Sequence, residues 1–113
     1  MIKSRTNDAV TILDLHGPLI AGEDAAVRKA IRLAFENGAR TVILNMQVVP
    51  SIDSSGVAAL ASGHMTAANR SGQMKLCSLN QKLRDVFTIM RLDAIFDWYE
   101  TEEAALASVT AVS

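Results

Sequence analysis

The run Thr41-Val42-Ile43-Leu44-Asn45 constrains this chain more than any other stretch. It is rich in β-branched residues and aliphatic from Val42 to Leu44, so it reads as a strand in the middle of a covered sheet. A short connection, Met46 to Ser51, contains Pro50 and leads to Ile52-Asp53-Ser54-Ser55-Gly56. From Val57 to Asn69 the residues are small and apolar enough for a helix. Asp53, Ser54 and Ser55 therefore fall where a loop meets a helix N-terminus, with its unpaired N–H groups and partial positive charge. Asp53 is the natural N-cap acceptor. Capping needs one polar residue, however, and here three precede a glycine.

Helices and strands alternate on either side of this stretch. Ile2 to Arg5 and Ala9 to Leu15 read as two strands turning at Asn7-Asp8. Gly17-Pro18 ends the second, and Gly22-Glu23-Asp24 opens a helix with acids in its first turn. Val27, Ala30, Ile31, Ala34 and Phe35 form its apolar stripe, and Asn37-Gly38 stops it. In the helix after the junction, Val57, Leu60, Ala61, His64 and Ala68 share one face, read as the packed one. Ser55, Ala58, Ala59, Ser62 and Thr66 form the other, small and uncharged. Gln73 to Cys77 is the next strand. Ser78 or Asn80 caps a third helix with the stripe Leu83, Val86, Phe87 and Met90. Ile95 to Tyr99 offers a last strand, and Thr101 caps a final helix that turns Ala105, Leu106 and Val109 inward. This alternation predicts βαβ units and a mostly parallel sheet in one domain spanning residues 1–113.

Composition narrows the function classes. A net charge of −1 with dispersed Lys and Arg leaves no basic stripe for nucleic acid or anionic lipid. The single cysteine, Cys77, excludes an internal disulfide and suits a reducing cytoplasm. Met1 to Asp8 is polar and mixed, and no apolar span suggests secretion or membrane insertion. The expected location is cytoplasmic.

Catalytic signatures are missing. His16 and His64 stand alone, each read as packed rather than functional, and no zinc-like spacing or CxxC pair occurs. Ser54 and Ser55 lack a GxSxG elbow, and the glycines form neither GxGxxG nor a Walker A loop. No metal, cofactor or catalytic residue is expected.

Ile52-Asp53-Ser54-Ser55-Gly56, in its place between strand and helix, resembles the STAS domain, the fold of bacterial anti-sigma factor antagonists. The similarity runs along nearly the whole chain: Leu13 to Leu19, Val42 to Asn45, Lys75 to Cys77, Leu83 to Phe87, and Ile95-Phe96 with Thr101 to Ala104. The chain departs from the pattern at Ile20-Ala21-Gly22, where many antagonists have Asp after the leucine, and at Arg91, where a Gly is common.

The resemblance implies a small mixed sheet of four to five strands with about four helices mainly on one side. It implies no enzymatic activity. An anti-sigma factor that is itself a serine kinase would phosphorylate the serine before the glycine, Ser55, and a phosphatase would reset it. Asp53, Ser54 and Gly56 would complete the switch loop. Unphosphorylated, the domain would bind the anti-sigma factor and free a sigma factor. Ala58, Ala59 and Ser62, at i+3, i+4 and i+7 from Ser55, would edge the partner-binding patch. The resemblance also implies alternatives for this chain: a STAS subunit of a larger signalling scaffold assembled with homologous STAS proteins, or a nucleotide- or small-ligand-binding STAS domain.

Overall fold

The computed structural model describes residues 2–110; Met1 and residues 111–113, which the sequence reading includes in the domain, lie outside the described residues. Five strands form one sheet: β1 (Ile2–Asn7), β2 (Val10–His16), β3 (Thr41–Val48), β4 (Gln73–Cys77) and β5 (Asp97–Tyr99). They lie in chain order, β1 antiparallel to β2 and all later neighbours parallel. Four helices connect or follow them: α1 (Asp24–Glu36), α2 (Ser54–Asn69), α3 (Gln81–Ile89) and α4 (Glu102–Thr110).

The central strand explains the layering. Val42, Leu44 and Met46 of β3 belong to the main core with Leu13, Leu15, Met74 and Leu76, and α1, α2 and α3 cover that face. Ile43 turns the other way and packs with Ile12, Cys77 and Ala105 of α4. Both faces of β3 are thus buried, which is why its sequence does not alternate. Three helices lie on one face and α4 on the other. Burial pushes the Cys77 thiol up to about 11, so it is an inert core side chain.

Polar side chains tie α4 down. Arg5 sets its guanidinium against both Asp14 oxygens at 2.7 Å and against Glu102 Oε1 at 2.6 Å. Asn45 Nδ2 donates to the same Glu102 oxygen at 2.9 Å. Hydrogen bonding to Arg5 holds the Asp14 and Glu102 carboxyls below the usual carboxylate range.

Several elements differ from the sequence reading. Asn80 rather than Ser78 caps α3, its Oδ1 accepting from Leu83 N–H at 2.8 Å. Ser78 sits in the left-handed region, at φ 63°. Arg91 does too, at φ 58°, which is the conformation a glycine there would adopt at no steric cost. Met90 is 51% exposed and Ile95 56%, so neither joins the core, and β5 begins two residues later than expected, at Asp97.

Candidate functional site at the start of helix α2

Asp53 is the N-cap of α2, and its two carboxylate oxygens perform different tasks. Oδ1 accepts the Gly56 N–H of the first helical turn at 3.0 Å. Oδ2 accepts the Ala21 N–H at 3.0 Å, from the β2–α1 loop 32 residues earlier. The backbones of the two loops are joined as well: Leu19 N–H donates to Ser51 O at 2.9 Å, and Asp53 N–H to Leu19 O at 3.2 Å. Leu19 and Ile52 thereby form an isolated parallel bridge that extends the β2–β3 pairing past the strand ends. The N–H donors of Gly56 and Ala21 hold the Asp53 carboxyl below its usual range. The sequence shows the cap; it does not show the tie to Ala21, because no local pattern links residues that far apart.

Gly56 is required where the two loops meet. A Cβ added there would collide with the Leu19 carbonyl oxygen and lie 2.7 Å from Ile52 Cγ1. The glycine lets α2 start directly against the β2–α1 loop. Ser54 projects outward and is exposed, whereas Ser55 is half-buried beside it. Because Asp53 already takes the Gly56 N–H, a charged group on Ser55 would meet a first turn whose third amide is occupied and whose cap is an anion.

The phase of α2 differs from the sequence reading. Its buried line is Gly56, Ala59, Leu60, Gly63 and Ala67. Ala59 is 0% exposed, so it belongs to the core and cannot edge a surface patch. Ala58 is exposed and Ser62 half-buried, as a surface role requires, while Ala61, His64 and Ala68, expected to pack, are exposed. His64 is exposed, and its ring meets that of Phe96 edge-on, with centroids 6.0 Å apart. The reason is close approach. A Cβ on Gly63 would lie 2.7 Å from Ile31 Cδ1 and 2.8 Å from Met74 Sδ, so the helix packs through its smallest residues. A hydrophobicity pattern misses such a line; glycines and alanines at 56, 59, 63 and 67, three or four apart, are the signal that marks it.

Two exposed apolar residues near the junction also escaped the sequence. Ile20, 36% exposed, precedes the residue that donates to Asp53. Val48, 54% exposed, ends β3, and its carbonyl accepts the Gly17 N–H at 3.1 Å. Ser54 and Ala58 are exposed on the first turns of α2, and the Asp53 carboxylate and the exposed Glu23, whose N–H donates to the Ile20 carbonyl at 2.9 Å, put negative charge at this junction. Among the described residues no group of His, Cys, Asp and Glu is placed to hold a metal ion, and no helix is long and apolar enough to cross a membrane.

The STAS domain family model matches residues 1–105. TM1081 of Thermotoga maritima, a proposed anti-sigma factor antagonist, superposes with a TM-score of 0.89 at 24% identity, over 96% of this chain and 94% of its own. The unphosphorylated form of the anti-sigma factor antagonist SpoIIAA superposes at 0.73 with 23% identity, over 97% and 98% of the two chains. Phosphorylated SpoIIAA from Bacillus matches equally well, at 0.73. The murine anion transporter Slc26a9 contains a similar unit, with a TM-score of 0.79 and 19% identity over 91% of this chain but 18% of the transporter. At these identities the likenesses establish the fold.

Proposed function

The chain belongs to the STAS domain family, and on that premise we propose that it is a phosphorylation-switched module that binds an anti-sigma factor and so releases a sigma factor. The observation that carries this reading is the construction of the α2 start. Asp53 and Gly56 fix a backbone on which Ser54 is exposed and Ser55 half-buried, next to the exposed Ile20 that precedes the Ala21 donor. SpoIIAA, whose fold this chain shares, is known in both phosphorylated and unphosphorylated forms. Ser55, directly before the glycine, is the acceptor; Ser54 belongs to the loop that presents it. The domain acts as substrate rather than catalyst, and its setting is the cytoplasm.

In this reading the partner is an anti-sigma factor with serine kinase activity, and a phosphatase restores the binding form. The contact surface comprises Ser54, Ser55, Ala58 and Ser62 with Ile20 and Val48, and excludes Ala59. Phosphate on Ser55 adds about −1.5 to −2 charges at neutral pH. Beside the Asp53 carboxylate it gains little from the helix dipole, so its effect falls on the partner rather than on the fold. Incubation with the kinase and ATP, followed by mass-spectrometric mapping, tests the acceptor. Phosphate on Ser55, lost in Ser55→Ala and kept in Ser54→Ala, is the expected result; phosphate on Ser54 overturns the assignment.

A further inference from the structure

A cavity of about 300 Å³ lies between the N-terminal half of α1 and the chain leaving β2, and the switch makes no use of it. Its walls are aliphatic. Leu15, Leu19, Val27 and Val49 are each 4% exposed or less, yet all four line the cavity. Ala26 and Ala30 leave room above them because they are small. At the mouth stand Lys29, Glu23 and His16, all exposed. Glu23 occupies the α1 N-cap position, where the positive end of the helix compensates a carboxylate. Lys29 has no such compensation: its neighbour Arg28 pairs with Asp24 at 3.7 Å, while Lys29 joins no ion pair among the described residues.

An apolar volume with one uncompensated cation at its rim selects an amphiphile with an anionic head. An apolar cavity of about 150 Å³ holds benzene, so twice that volume takes an apolar body of roughly eight to twelve carbons. We propose that this cavity binds a medium-chain monocarboxylate, with its tail against Leu15, Leu19, Val27 and Val49 and its carboxylate at Lys29. The site stands independently of the switch at Ser55. It is close to it nonetheless, because Leu19 in the cavity wall is the residue that hydrogen-bonds Ser51 and Asp53.

Titration of the ¹⁵N-labelled protein with octanoate, followed by amide shifts, tests the proposal. Saturable shifts are expected at Leu15, Gly17, Leu19 and from Ala26 to Leu33. Ala26→Phe, which fills the cavity from an exposed position, should abolish them while leaving the rest of the spectrum in place. Lys29→Glu should weaken octanoate by roughly fivefold, in the range of an exposed ion pair, and leave octan-1-ol unaffected. Octan-1-ol binding the unaltered protein as tightly as octanoate would overturn the proposal. So would undiminished octanoate binding by Ala26→Phe, or the absence of saturable shifts below the micellar concentration.

Discussion

At the first turn of α2, Gly56 is confined by backbone: the Leu19 carbonyl oxygen occupies the place a Cβ would take. Two turns on, Gly63 is confined by the ends of two flexible side chains, Ile31 and Met74. Both glycines bring the helix close to its neighbours, but what they approach differs in stiffness. A side chain can change rotamer, whereas a carbonyl held in a bridge between two loops cannot move without breaking that bridge. The first turn is therefore positioned by the polypeptide backbone and the Asp53 carboxylate. The later turns are positioned by ordinary packing. An end fixed this way suits a site that must present one hydroxyl in one geometry, while the rest of the helix only needs to stay folded.

The largest expected effect tests where the helix faces. Ala59→Glu would bury an unpaired carboxylate in the core, and loss of the folded state, by about 4 kcal/mol or more, is the expected outcome of chemical denaturation. Ala58→Glu, one position away but exposed, should change stability by no more than about 0.5 kcal/mol and instead weaken partner binding. A folded Ala59→Glu would show that the phase of α2 is misassigned.

The two glycines come next. Gly56→Ala should cost about 3 kcal/mol or more, because the obstacle is backbone. Gly63→Ala should cost about 1–2 kcal/mol, since Ile31 and Met74 can shift. Equal losses in the two variants, measured by urea titration, would erase the distinction between the two ends.

Smaller still is the effect of the cap. Asp53→Ala removes the acceptor of both the Gly56 and Ala21 N–H groups and should lower Tm by a few degrees, with a larger fall in phosphorylation rate. The pH dependence has a definite sign. The folded state holds the Asp53 carboxyl below its ordinary value, so its stabilisation is present above the ordinary carboxylate range. It is lost as the pH falls through the depressed value. Asp14 and Glu102 contribute in the same direction through Arg5. Asp53→Ala should accordingly lose less stability than the unaltered protein when acidified from about pH 5 to below pH 4. An unchanged acid profile would mean that the tie to Ala21 and Gly56 does not depend on the carboxylate's charge.

Element order, sheet direction and the cap at Asp53 were legible because each is written locally: a continuous aliphatic strand, alternating helix and strand lengths, and a capping residue before a helix. The helical phase of α2 was not. Its buried line includes two glycines, which add nothing to an apolar count, so Ala61 and His64 were drawn into the expected core in place of Ala59 and Gly63. Asn80 and Ser78 were equivalent as caps on chemistry alone; the start of α3 at Gln81 and the left-handed backbone at Ser78 separate them. The bond from Ala21 to Asp53, the Arg5–Asp14–Glu102 cluster and the bond from Gly17 to Val48 all depend on residues brought together by the sheet. No periodicity records such contacts.

The central claim is that a fixed α2 start converts a charge on Ser55 into a change at the interface, without unfolding the helix. It is tested most directly by titrating the anti-sigma factor with the unphosphorylated and Ser55-phosphorylated domains. The account predicts a fall in affinity of roughly 30- to several-thousand-fold, equivalent to about 2–5 kcal/mol, with the helical circular dichroism of the domain unchanged. Equal affinity of the two forms, or a weaker complex accompanied by loss of helix, would contradict it.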